Sequence, residues 1–526
     1  MKIEQTPQAI WKEYTKGVSY NTALDLYEQV KKNENFYIGK QWEGLDAPDL
    51  NKPVINVLKR VVSYFISMIV SDDVGASFTP FIQSPEEQRN AKILSDTVDE
   101  VIETANIKAL SREIIRDAAV DGDGFLYLYF DPDEETGQEA KGRIKAEILQ
   151  NVNVMYGNPY SDELQSQPYV ILSMRKYLDS VKEEAEENGQ SSETIRADSD
   201  SNQYDVVNKE QDDLVTVLVK LWKENDKVYA IKTTENSVIR PVWDTGSSLY
   251  PLACMRWERI KNSYHGQAAI TAMIPNQISI NQLFAMALHS VKSTAFPKVI
   301  FDRTKLSGWT NKIGQAIGVV GNPNDAIATG YRAPDMSAQV MDLIDRLIQK
   351  TSEFMGASDA ALGNIRPDNT SAIIATQKAS AMPLELQRLE FYRFTEEYIR
   401  VILDMIASNY GVRTITYEED GNTIEATYDF ALTSQANYRL KVDVGSAAYW
   451  SEVMQIQTLD NMYRNHIIPD AITYVENIPD QYIKGKNKIL EKLKEQQTQQ
   501  QMQMQAQPQP SMPGGEMMQA VAEGMI

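Results

Sequence analysis

Apolar residues recur at helical spacing through residues 8–33, where Ile10, Trp11, Tyr14, Val18, Leu24, Leu26, Tyr27 and Val30 predict one amphipathic helix. Gly39, Pro48-Asp49 and Asn51-Lys52-Pro53 carry turn chemistry, and residues 54–71 resume as a mostly apolar helix. From Gly122 the period becomes that of a strand. Residues 125–130, a turn at Asp131-Pro132-Asp133 and Gly137, then residues 143–149 predict a β-hairpin. Further strands are predicted at 169–174, 214–222 and 228–231, so residues 54–260 read as α+β with an antiparallel sheet. Within them, 183–213 holds eleven acids and two bases among Ser, Asn and Gln, and reads as a solvated, mobile insertion.

After His265-Gly266 the pattern turns helical. Ile280, Leu283, Phe284, Ala287, Leu288 and Val291 share one face of a helix that runs to about Ser293 and is closed by Pro297. Gly308, Gly314, Gly318, Gly321 and Gly330 make the next segment too glycine-rich for a continuous helix. A second helix opens near Ser337, carries Val340, Ile344, Leu347 and Ile348 on one face, and ends at Gly356; 357–370 is a loop. Residues 371–408 then form one helical pattern, about 57 Å long at 1.5 Å per residue, interrupted only by Pro383. An internal proline removes a hydrogen bond and clashes with the preceding turn, so a kink is expected near 379–383. Residues 412–443 return to β, 450–494 read as short helices, and 496–526, with ten glutamines and six methionines, is too poor in core formers to pack.

Composition narrows the function. With 52 basic and 73 acidic residues the chain carries −21, which argues against wrapping nucleic acid by phosphate neutralisation. It leaves open a surface past which DNA must slide. The lone Cys254 fits a reducing compartment and a buried small hydrophobe, and no apolar run is long enough for a membrane span, so a soluble intracellular protein is expected.

The catalytic signatures are missing. Gly39-Lys40 precedes Gln41 and Gly485-Lys486 precedes Asn487, so no nucleotide-cradling loop has its hydroxyl ligand. His265, His289 and His466 are too far apart for a local metal motif, and His265 reads as a hydrogen-bonding or capping residue. Asp121-Gly122-Asp123-Gly124 resembles a calcium loop, but Phe125 and Pro132 stand where further oxygen ligands belong. No catalytic residue, cofactor or metal is expected.

The segments Tyr37-Ile38-Gly39-Lys40-Gln41-Trp42, Asn51 to Asn56, and His265-Gly266 with Ile274-Pro275-Asn276-Gln277 and Ile280-Asn281, set in this order of elements, resemble the portal proteins of tailed bacteriophages. The resemblance covers nearly the whole chain and implies the portal fold. Its parts would be an α+β wing (1–263), a first stem helix (264–293), a clip (294–336) and a second stem helix (337–356). A tunnel loop (357–370), a long kinked helix with returning wing strands (371–449), a helical crown (450–495) and a disordered tail (496–526) would follow. It further implies a non-enzymatic homo-oligomeric ring, a dodecamer, at a capsid vertex of the virion, assembled in the host cytoplasm. Double-stranded DNA would pass through it during packaging and ejection. The large terminase subunit, head–tail adaptors, and the major capsid and scaffolding proteins would be its partners. By family position, Lys292, Arg346, Lys350 and Arg366 become candidates to line the DNA channel. Gly356, Gly363, Asn364, Pro367, Asn369 and Thr370 would build the tunnel loop, and Pro383 the kink. The alternatives are a DNA-processing enzyme of the packaging apparatus and a non-portal collar or connector protein.

Overall fold

The first amphipathic stretch folds as two helices, α1 (Pro7–Ala23) and α2 (Leu26–Ile38), separated at Asp25, whose φ of 56° is left-handed. They belong to a computed structural model that describes residues 4–47, 50–70, 74–81, 84–137, 140–198, 213–295, 298–306, 308, 319–322, 328–331, 338–357, 382–419, 422–435 and 438–444, with scattered positions from 456 to 494. The chain divides into two units, 1–445 and 446–526. Its fold is mixed, with helices and several small sheets in which every described pairing is antiparallel.

Unit 1 continues with α3 (Val57–Ile69), capped by Asn56 Oδ1 accepting from the Lys59 N–H at 3.0 Å. Next come β1 (Val74–Pro80), α4 (Pro85–Thr104) and α5 (Ile107–Asp121). The expected hairpin is β2 (Asp123–Asp131) against β3 (Arg143–Leu149), registered from Phe125 opposite Leu149 to Asp131 opposite Arg143. The chain then runs through β4 (Val154–Tyr156), β5 (Val170–Tyr177), α6 (Leu178–Glu187), β6 (Leu214–Glu224), β7 (Lys227–Thr233) and β8 (Val238–Asp244). These five strands form one sheet in sequence order, and β9 (Leu252–Arg256) joins β2 and β3 in a three-stranded sheet.

Period-two alternation decides what covers the five-stranded sheet. Leu218 and Trp222 pack with Ile10, Tyr14 and Val18 of α1 on one face. On the other, Val219 and Leu221 meet Phe125 and Leu252 of the three-stranded sheet, while Val215 and Val217 meet Val181 and Ala185 of α6. For residues 183–198 this corrects the expectation of a mobile insertion. Ala185 and Ile195 are buried, and Asp198 ion-pairs with Arg175 and accepts from the Thr216 N–H at 2.8 Å. In α6 the acids Glu183, Glu186 and Glu187 are exposed while Val181 and Ala185 face the core. Residues 199–212 lie outside the described residues.

Beyond the short pair β10 (Glu258–Arg259) and β11 (Gly266–Gln267) come α7 (Ile274–Ala295), the pair β12 (Lys298–Phe301) and β13 (Ala328–Tyr331) in the glycine-rich segment, and α8 (Ala338–Phe354). The long helix α9 (Glu385–Asn409) buries Phe391, Phe394, Tyr398 and Ile402 in the largest core, with α3, α4 and α5. The hairpin of β14 (Val412–Glu419) and β15 (Asn422–Asp429) leads to β16 (Tyr438–Val444), which returns to pair with β1.

In unit 2, α10 (Ala471–Glu476) is capped by Asp470, whose Oδ1 accepts from the Thr473 N–H at 2.7 Å, and Tyr474 stacks on Tyr463. The tail 496–526 lies outside the described residues. No described helix is long and apolar enough to cross a membrane.

Candidate functional site

Residues 36–57 and the start of α7, 220–240 positions apart, meet in one buried amide network. Gln277 Oε1 accepts from the Val57 N–H at 3.0 Å, and its Nε2 donates to Ile55 O at 2.6 Å and to Asn281 Oδ1 at 3.1 Å. Asn281 Oδ1 also accepts from the Ile55 N–H at 3.2 Å, and its Nδ2 donates to Gln41 Oε1 at 2.5 Å. Gln41 donates to Phe36 O at 2.8 Å, Asn56 to Tyr37 O at 2.9 Å, and the Trp42 indole to Pro53 O at 2.8 Å. Gln41, Gln277 and Asn281 are all buried. Residues 50–56 have no ladder of their own, so side-chain amides supply the partners that their backbone needs.

From this base α7 extends alongside α8. On the apolar face of α7, Ile280 and Ala287 are buried and Leu283, Phe284 and Leu288 half-buried, whereas Val291 near its end is 57% exposed; Met286, on another side of the helix, is 64% exposed. On α8, Ile344 and Thr351 are buried, while Met341, Leu343 and Phe354 are exposed. The start of α9 repeats the pattern, with Met382 and Leu386 each 72% exposed and Leu389 close behind. Exposed large apolar side chains are common one at a time; here they recur on α7, on α8 and at the start of α9.

The nominated cations divide. Lys292 donates to Asn51 Oδ1 at 2.9 Å, and Lys350 ion-pairs with Glu353, one turn along α8, at 2.6 Å. Arg346 is exposed and has no hydrogen bond or ion pair among the described residues. Arg366 lies outside them, as do Gly363, Asn364, Pro367, Asn369 and Thr370 of the expected tunnel loop.

Gly356 and Pro383, the nearest glycine and proline on either side of residues 358–381, stand side by side. Gly356 has φ +79°, and a Cβ built on it would lie 2.9 Å from Pro383 Cβ. Pro383 stands in a single 3-10 turn (Met382–Leu384) that opens α9, where its missing N–H costs little. The expected helix over 371–408 is thus described only from Glu385, and 371–381 lie outside the described residues. Gly356→Ala places a side chain in left-handed backbone against the proline ring. It is expected to lower stability by about 2 kcal/mol in denaturant unfolding; an unchanged midpoint would show that this contact yields freely.

His265 is buried with both ring nitrogens engaged: Nδ1 with Asp123 Oδ2 at 2.9 Å and Nε2 with Asn21 Oδ1 at 3.0 Å. Asn151 donates to the other Asp123 oxygen at 3.1 Å. The apparent calcium loop is explained here. Gly122, at φ +108°, lets the backbone pass against Gly266 where no Cβ would fit, and Asp123 is turned inward to hold the histidine. Sequence spacing offered no sign of this pairing, since its members stand 142 positions apart. Among the described residues no cluster of His, Cys, Asp and Glu is arranged to hold a metal.

No known protein-family model matches this sequence, and no curated protein matches it.

Proposed function

We propose that this chain is the subunit of a portal-type ring: a non-catalytic homo-oligomer at a capsid vertex of a tailed bacteriophage virion, through which double-stranded DNA is packaged and ejected. The observation that carries the reading is the run of exposed apolar side chains on α7, α8 and the start of α9. Repetition of one subunit around an axis would bury that run against the next copy. The amide network at the base of α7 supports it further, because it fixes the start of that helix to residues 36–57 with buried, directional bonds.

Charge fits a passage for DNA. At −21 per subunit a ring repels phosphate, so DNA would slide without adhering, and an isolated cation such as Arg346 would interrupt that field locally. The terminase and then the adaptors would dock at the segment around β12 and β13, and coat and scaffolding proteins at the body formed by the earlier sheets. Electron microscopy and native mass of the purified chain test the reading. Rings of about a dozen copies with a central hole are expected. A monodisperse monomer or dimer across several buffers would overturn it.

A further inference from the structure

Two covers share one face of the five-stranded sheet, and they do not meet. The three-stranded sheet lies over Val219 and Leu221, α6 lies over Val215 and Val217, and between them opens a cleft of about 520 Å³. That volume is the size of a small-molecule site. One wall is aromatic: Tyr127 and Tyr129, alternate residues of β2, stack with centroids 5.7 Å apart, and Trp243 of β8 lies among the lining residues with the Arg240 guanidinium 4.1 Å from its ring centre.

The polar lining carries three cations, Lys176, Lys232 and Arg240, and three carboxylates, Glu147, Glu184 and Asp244. Lys232 reaches in from β7 and is held by Glu184 of α6 at 2.6 Å. Lys176 of β5 lies close enough to oppose the Lys232 charge, and it forms no ion pair with a carboxylate among the described residues. Burial first, and then this neighbour, push Lys232 down to about 8 despite Glu184. Of the remaining acids, Asp244 is taken by Lys227 at 2.7 Å, and burial raises Glu147 from its ordinary value against the lowering pull of Lys176 and Lys232. With Asp244 engaged by Lys227, the cations Lys176, Lys232 and Arg240 are left with two carboxylates, Glu147 and Glu184, and Glu184 is already engaged by Lys232. Ser247 adds a buried hydroxyl with no partner among the described residues.

We infer that this cleft binds a small aromatic acid, its carboxylate or sulfonate between Lys176 and Lys232 and its ring against Tyr127, Tyr129 and Trp243. One added negative charge relieves the crowding of the two ammonium groups, and a flat apolar body fills the aromatic wall. A phosphate-rich ligand fits less well, because Glu147 and Glu184 oppose any charge beyond the first. The site is independent of the ring contacts and would be present in a single subunit.

The test is calorimetric titration of the full chain with indole-3-acetate and with its neutral amide. The acid is expected to bind at least about tenfold more tightly, with that preference fading as pH rises through about 8 and Lys232 loses its proton. Lys176→Gln should erase the preference while leaving the amide unchanged, and Lys176→Arg should keep it. Trp243→Ala should weaken both ligands, and Lys16→Gln, on exposed α1 surface, neither. Circular dichroism and unfolding temperature verify that each variant is folded. Equal binding of acid and amide, no binding of either at millimolar concentration, or an acid preference that survives Lys176→Gln would overturn the assignment.

Discussion

A chain carrying Leu386→Glu and Leu389→Glu is expected to fold as the unaltered chain does and to sediment as a monomer. Both side chains lie on the outer side of α9, more than half exposed, so the subunit's own core loses nothing when they change. In a ring each would be buried once per subunit contact. Full burial of a leucine is worth about 1.5–3 kcal/mol, and a glutamate in its place must also shed water without a cation to receive it. The cost recurs at every contact around the ring, so assembly should fail cooperatively rather than weaken by degrees. Analytical ultracentrifugation, with unfolding temperature as the control, decides it. Rings of unchanged mass would place the subunit contacts elsewhere and leave the exposed start of α9 to another partner.

The second large effect is expected at the base of α7. Gln277→Ala removes at once the acceptor of the Val57 N–H and the donors to Ile55 O and Asn281 Oδ1. Each buried group left without a partner costs about 1–3 kcal/mol, so a loss on the order of 3–5 kcal/mol is expected in denaturant unfolding. Asn281→Ala strands Ile55 N–H and Gln41 instead, and the double variant should lose less than the two single losses together, because both belong to one network. Hydrogen exchange at Val57 should accelerate in Gln277→Ala while amides of the distant sheet at Leu218 stay protected. A loss below about 1 kcal/mol would mean that water replaces the amide and that the helix is anchored by apolar packing alone.

The acidic stretch shows how local pattern misleads. Val181, Ala185 and Ile195 are three core residues scattered among Glu, Ser and Asp, a density too low to register as periodicity. They suffice because the sheet beneath supplies the rest of the apolar surface. β1 has no local signature for a related reason: Val74–Pro80 holds a glycine and a proline, and it becomes a strand by pairing with β16, which begins 358 residues after Pro80. Asp25 is the converse case, since one left-handed residue splits a helix whose apolar spacing runs on across it.

By itself the sequence determined the properties that depend on near neighbours. These are the β2–β3 hairpin with its Asp-Pro-Asp turn, the helical character of α3, α7, α8 and α9, the mixed α and β class, and the strong negative charge. Rotamer preference, turn chemistry and burial period act over a few residues and can be read there. Only the tertiary structure decided which distant polar groups meet: Gln41 with Asn281, His265 with Asp123, Gly356 with Pro383, Lys232 with Glu184. It also decided where two covering layers leave a gap. A buried amide or lysine has no characteristic spacing, since its partner is set by which surfaces the whole core brings together, and a desolvated polar group must find that partner wherever the fold has placed it.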